Sequence, residues 1–388
     1  MSGPSRAIWQ ISDGQSVALD AIRLVATFAV FLGHASTPFF ADTHVSLLGK
    51  ATIPIFMMLS GYLTANAFSR GGNFFKKVIR RYVGLYFVVV PAFFIVLIAD
   101  VWLVHTNSII LDYDKFDANF TFGRFLREIS EALTYTGEYW RLDTVSQGMW
   151  SNAAYWTLDY IMAYTTLTAA LYLLSGWQRI AVFLVMTAIA GPTVLLLSPL
   201  WWAGVVAYEM HRLCALSWVE EQAGGRARPS LFWAMRHASP TLAILGIGSV
   251  YFIEVNGLGD ALYRESKMWV SHDWRQYLGM AKRFAWQWTL IPGLFLVLIA
   301  SKYVITWSPS EIIKKRVRLA AQFTLPIYAT HFTLLFVFRA AIPTYQASWS
   351  SPDPWILTAS ALGSTLLIAW ICLRWVKPEA DRWIEKAM

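Results

Sequence analysis

Residues Lys76–Leu103 read KKVIRRYVGLYFVVVPAFFIVLIADVWL, four cations followed by an apolar run from Tyr82 to Leu103. About 20 apolar residues in a helix cross the hydrocarbon core of a bilayer, so this stretch predicts a membrane span with a basic anchor at one end. Two similar windows precede it, Ala18–Thr37 and Ala51–Phe68. Seven follow: Ala153–Leu174, Ile180–Leu197, Pro199–Leu216, Pro240–Val255, Phe284–Tyr303, Leu319–Ala341 and Trp355–Val376. The predicted fold class is an all-α polytopic membrane protein of about ten transmembrane helices. Composition agrees, because only 14% of the 388 residues are charged and 56% are hydrophobic, against roughly 25% charged in soluble domains. An ordinary soluble enzyme is excluded. The 20 Trp, 17 Tyr and 24 Phe suit the two bilayer interfaces, where amphipathic rings are favoured.

The two cysteines, Cys214 and Cys372, build no disulfide framework and lack the paired Cys/His spacing of a zinc site. No metal is expected. The net charge of +8 would suit nucleic acid, but the cations sit between apolar stretches, so the expected partner is the lipid bilayer and not nucleic acid. Cations are retained in the cytoplasm during insertion. With the N-terminus inside, the larger share of them falls on cytoplasmic connections, including Lys76, Lys77, Arg80, Arg81, Lys314, Lys315, Arg316 and Arg318. The acidic residues Asp112, Asp114, Asp117, Glu128, Glu131, Glu138 and Asp143 crowd the connection between the third and fourth windows. The expected topology is N-in/C-in.

On this reading residues 1–388 form one integral membrane domain, with cytoplasmic tails at 1–17 and 377–388 and two sizeable extracytoplasmic loops at 105–152 and 256–283. The first window carries ionisable residues and no basic leader, so it reads as a retained helix. Loops of that length are functional or disordered. Their aromatic residues, among them Tyr135, Tyr139, Trp150, Trp269 and Trp274, predict folded caps. Such rings serve as interfacial anchors or as platforms for an extended polar ligand.

Chemistry concentrates in the first window. Asp20, Arg23, Thr27 and His34 are spaced by 3, 4 and 7 residues, which places them on one face of a helix. Ionisable groups inside a membrane helix are functional candidates by default. Arg23 and His34 lie eleven residues apart, about 16 Å at 1.5 Å per residue. In the second window, Ile53–Leu63 reads IPIFMMLSGYL, and the small residues Ser60 and Gly61 admit another helix or a thin ligand. Lys77 and Arg80, at i and i+3, suit phosphate groups as well as plain membrane topology. The same polar residues also suit a secondary transporter or channel, whose sequence would show internal repeats and broken helices.

Taken in order, Asp20 with Arg23-x10-His34, then IPIFMMLSGYL, Lys77-x2-Arg80, Trp156-Thr157-Leu158 and Leu325-Pro326-Ile327-Tyr328-Ala329-Thr330-His331 resemble the membrane-bound acyltransferase family 3. The resemblance implies transfer of an acyl group, acetyl first and succinyl second, from cytoplasmic acyl-CoA to a hydroxyl of an extracytoplasmic polysaccharide, oligosaccharide or lipid-linked glycan. It places the protein in the bacterial inner membrane. It implies His34 as the catalytic histidine, with Arg23 and Asp20 as its companions. Lys77, Arg80 and Arg81, with Ser60 and Gly61, would hold acyl-CoA, and Trp156, Tyr328 and His331 would meet the acceptor. Many members carry a glutamate where this chain has Ile161; the nearest acid is Asp159.

Overall fold

The computed structural model describes residues 11–36, 39, 51–105, 122–139, 155–222, 231–269, 281, 283–342 and 352–387. Every regular element among them is helical. The first, α1 (Asp13–Ala35), starts where the Ser12 hydroxyl accepts the Gln15 N–H at 3.1 Å, satisfying one of the otherwise orphaned first-turn donors. It is followed by α2 (Thr52–Phe68), α3 (Phe74–His105), α4 (Phe122–Thr134), α5 (Trp156–Leu173), α6 (Gly176–Gln222) and α7 (Leu231–Val255). Then come α8 (Leu258–Trp269), the short α9 (Phe284–Thr289), α10 (Ile291–Val304), α11 (Glu311–Gln322), α12 (Thr324–Ala340) and α13 (Asp353–Ile371). A π-helical turn at Cys372–Val376 leads into α14 (Lys377–Ala387).

Among the described residues, six runs are long and apolar enough to cross a membrane: Asp13–Ala35, Phe74–Leu103, Gly176–Ser217, Phe232–Val255, Glu311–Ala340 and Asp353–Lys386. The shorter α2 and α10 are also apolar. The chain is a multi-pass membrane protein. The fifth and sixth windows of the sequence are one helical run, α6, and the break lies at Gly191 rather than at Pro199. Gly191 takes φ 75°, a conformation that costs glycine little, and Pro192 cannot continue the upstream hydrogen-bond ladder. The eighth window is divided at Leu290 into α9 and α10, with Pro292 in the first turn of the second helix.

Helix α5 is central. Its residues Trp156–Tyr160 and Met162–Ala170 are all buried, with α2, α3 and α6 packed around it. The main core joins Tyr62 of α2, Trp156, Tyr160 and Tyr164 of α5, and Trp201 and Tyr208 of α6. The crossing of α2 and α6 is close enough to exclude any side chain: a Cβ on Gly61 would lie 2.2 Å from the Trp201 carbonyl oxygen, and one on Gly204 1.9 Å from that of Met58. Small residues let membrane helices approach in this way, since lipid offers no hydrophobic drive between them. Of the two neighbours that the sequence allowed for Gly61, the structure supplies the helix.

Both long connections contain folded helix in their described parts. Following α4, the Tyr135 ring is buried against Tyr82, Tyr86 and Tyr155. Burial pushes the Tyr135 and Tyr139 hydroxyls above the ordinary phenol range, so they remain protonated. Gly259 of α8 sits against the Trp286 ring of α9. Trp150 and Trp274 lie outside the described residues.

Candidate active site at the end of α1

The polar face of α1 turns inward against α12 and α2. Thr27 is buried and donates to the Arg23 carbonyl at 2.9 Å, a local bond that leaves the face without an unpaired hydroxyl. His34 stands in the last turn of the helix, one residue from its end. The negative end of the helix dipole favours a cation there. Its Nδ1 lies 2.8 Å from Nε2 of His331 on α12. The two rings are parallel within 1° with centroids 5.1 Å apart. With that nitrogen–nitrogen distance, the imidazoles meet edge to edge in one plane. Phe332 presents its edge to His34, and Phe31 closes on His331 from α1. His331 is buried, whereas His34 remains half-buried. His34 Nε2 makes no hydrogen bond among the described residues.

One turn before His331, Tyr328 lies with its ring 5.8 Å from that imidazole, and its hydroxyl accepts from Thr157 Oγ1 at 2.9 Å. Phe56 of α2 faces the Tyr328 ring at 6.3 Å. Three of the sequence's nominees, His34, His331 and Tyr328, are therefore gathered at one place by α1, α12 and α5. Trp156 is placed differently. It is buried in the main core, edge-on to Tyr160 at 5.1 Å.

A second cluster lies toward the other end of α1. Arg23 and Asp20 are 3.7 Å apart and half-buried. The Arg23 Nε is buried and unpaired among the described residues. Arg81 of α3 is close enough to repel the Arg23 guanidinium electrostatically, while Asp20 also feels Arg318 of α11. Asp20 is thus shared between Arg23 and Arg318. Lys77 is used otherwise: its ammonium donates to the Ala67 carbonyl at 2.9 Å and lies over the Phe68 ring. Arg80 is exposed and Ser60 half-buried.

Sequence reasoning did not reach three features. It assigned His331 to the acceptor, with a hydroxyl or carbonyl as its own partner, and the carbonyls are present, but so is His34. It placed Glu209 at the inner end of the sixth window beside His211 and Arg212, as an interfacial pair; Glu209 is paired with Arg212 at 2.7 Å, while His211 has other partners. That ring is buried and held by the Tyr62 hydroxyl at 2.7 Å and by the Ile299 carbonyl at 2.8 Å. It also left Glu138 among loop acids. Glu138 is buried, its N–H donates to Asp159 Oδ2 at 3.0 Å, and Tyr160 donates to its Oε2 at 3.3 Å. Neither contact has a local sequence signal, because each joins segments about twenty or more residues apart.

No curated protein and no solved structure matches the chain. A family model described as an acyltransferase domain matches residues 16–374, from the start of the polar face of α1 to the π-helical turn after α13. The match includes both histidines and both arginines of the two clusters, and the chain belongs to the membrane-bound acyltransferase family 3.

Proposed function

We propose that the protein transfers an acyl group, acetyl by preference, from cytoplasmic acyl-CoA to a hydroxyl of an extracytoplasmic glycan, with His34 as general base, in a bacterial inner membrane and with both termini in the cytoplasm. The observation that carries this reading is the half-buried His34, whose Nε2 has no partner among the described residues, on the same helix as Arg23, which is near Arg81 of α3. The donor's nucleotide is heavily anionic and excluded from hydrocarbon, so it is suited to two guanidiniums that lack sufficient acid. The unpaired Arg23 Nε–H would gain an acceptor there, relieving a penalty of about 1–3 kcal/mol. From Arg23 to His34 the helix rises about 16 Å. The donor's arm from pyrophosphate to sulfur is about thirteen bonds, or roughly 15 Å at 3.5 Å per three bonds. The two lengths match.

In this reaction the hydroxyl oxygen of the acceptor bonds to the thioester carbonyl carbon as its proton passes to His34 Nε2. The carbon–sulfur bond then breaks, and the departing thiolate takes that proton. A positioned base of this kind contributes about 10²–10⁴-fold. Tyr328, one turn from His331, would serve as a donor to the oxyanion.

The test uses purified protein in nanodiscs with acetyl-CoA, reading release of free thiol, and membrane vesicles of the expressing strain, reading acetyl transfer to the strain's own glycans. Wild type is expected active in both and His34→Ala reduced at least 100-fold, in line with loss of a general base. A folded His34→Ala protein with the normal rate overturns the assignment of the base. Substrate uptake by proteoliposomes without thiol release overturns the enzymatic reading.

A further inference from the structure

We propose that His331 is a positioning residue that fixes the tautomer and aim of His34, holding the lone pair of His34 Nε2 free for the incoming hydroxyl. The inference rests on the acyl-transfer reading above, and its geometry does not depend on which acceptor is used. His331 Nδ1 lies 3.1 Å from the Ile327 carbonyl oxygen and 3.0 Å from that of Tyr328, both on its own helix. A carbonyl oxygen only accepts, so Nδ1 of His331 carries the hydrogen. A neutral imidazole carries one N–H, which leaves Nε2 of His331 with a lone pair. That lone pair faces Nδ1 of His34 at 2.8 Å. His34 must therefore be the donor at Nδ1, because the other tautomer would set two lone pairs against each other at this distance. The hydrogen on Nδ1 fixes the remaining lone pair on Nε2.

The orientation is set as firmly as the tautomer. The rings share a plane within 1°, so the N–H of His34 runs along the lone-pair direction of His331. Phe31 and Phe332 pack against the pair and restrict ring rotation. His331 is itself held by two backbone carbonyls one turn earlier on α12, so the alignment is supported by a helix. When Nε2 takes up the acceptor's proton, His34 becomes a cation, and its bond to His331 becomes charge-assisted and stronger. His331 thus does what a carboxylate does in other base assemblies, without placing an anion within the helix bundle. The Nδ1 proton stays where it is; the proton taken from the hydroxyl leaves with the thiolate.

The experiment compares wild type, His34→Ala, His331→Leu and His331→Gln in nanodiscs, with acetyl-CoA as the probe. Glutamine places an amide oxygen near the Nε2 position and can still accept; leucine cannot. Loss of the orienting acceptor in a comparable assembly costs about 10⁴-fold, so His331→Leu is expected to lose about 10²–10⁴ in kcat with its KM for acetyl-CoA unchanged. His331→Gln should recover at least about tenfold over the leucine variant, the margin expected from restoring one hydrogen bond to a charged group. A purely structural role predicts equal losses in both variants, tracking thermal stability, and that result overturns the proposal, as does a normal kcat in His331→Leu. If the leucine variant does not fold, His331→Asn, whose amide is too short to reach His34, takes its place. Nitrogen-15 NMR of labelled histidine reads the tautomer independently of turnover: His34 should be protonated at Nδ1 in wild type and a mixture in His331→Leu. A wild type that releases no thiol overturns the catalytic reading, while the NMR result still decides whether His331 sets the tautomer.

Discussion

Lys77 donates its ammonium to the Ala67 carbonyl, 2.9 Å away, so the cation that opens α3 also closes the C-terminus of α2. The last carbonyls of a helix lack internal partners, and a lysine near them satisfies one and offsets the negative end of the dipole. Arg80, one turn further along the same helix, is exposed. The two members of the basic motif therefore differ in what their removal does to the fold.

Lys77→Ala should lower stability by about 0.3–1 kcal/mol, the usual size of a cation at a helix C-terminus. Arg80→Ala should leave it unchanged. Thermal unfolding in the same detergent separates the two. An equal melting temperature for both variants would show that the Ala67 contact contributes nothing in solution.

Gly61 and Gly204 set the second test. Gly61→Ala puts a methyl group 2.2 Å from the Trp201 carbonyl oxygen, a backbone atom that cannot swing aside. Overpacking of this kind costs about 1–3 kcal/mol, so the variant should unfold earlier. Ser60→Ala, at the adjacent half-buried position, has no such clash and should unfold normally. If Gly61→Ala is as stable as wild type, α2 and α6 are further apart than described.

The contrast between these residues explains how much could be read in advance. The membrane class was legible because hydropathy is local: the run after Arg81 identifies itself without reference to any other part of the chain. The polar face of α1 was legible for the same reason, since Asp20, Arg23, Thr27 and His34 share a helix whose period is known. What depends on which helices meet was not. The His34–His331 contact joins residues 297 positions apart, and the bend in α6 at Gly191 was hidden because Pro199, the more conspicuous breaker, is accommodated within the helix. For Lys77 the sequence offered phosphate binding or plain membrane topology; its contact with the Ala67 carbonyl was hidden because a backbone carbonyl has no signature in the sequence.

Asp159 offers a third prediction. It stands two residues before Ile161, and its Oδ2 accepts the N–H of Glu138. Asp159→Ala leaves that buried donor without this partner, at a cost of about 1–3 kcal/mol. Asp159→Asn keeps an oxygen at the site and removes one of two neighbouring buried carboxylates, so it should be neutral or stabilising. Hydrogen exchange at the Glu138 amide provides the local readout: it should quicken in Asp159→Ala and stay slow in Asp159→Asn. Equal exchange in the two would mean that the carboxylate does not anchor the segment from Tyr135 to Tyr139.

The Arg23–Arg81 pair should show opposed effects on stability and on affinity. In the protein alone the two guanidiniums repel, with Asp20 in ion-pair range of Arg23. Removing the Arg81 charge, as in Arg81→Gln, should raise the melting temperature or leave it unchanged. The same change should weaken acetyl-CoA, raising its KM about tenfold, or about 1.4 kcal/mol, as expected for one lost charge-assisted contact. Because both cations would face the same anion, Arg23→Gln and Arg81→Gln should be non-additive in a double-mutant cycle, with a coupling of about 0.5–3 kcal/mol. Added salt should narrow the KM difference, since Arg81 remains open to solvent. A rise in KM that is additive and insensitive to salt would mean that the two arginines do not share a ligand. An unchanged KM in both single variants would remove acyl-CoA from this end of α1 altogether.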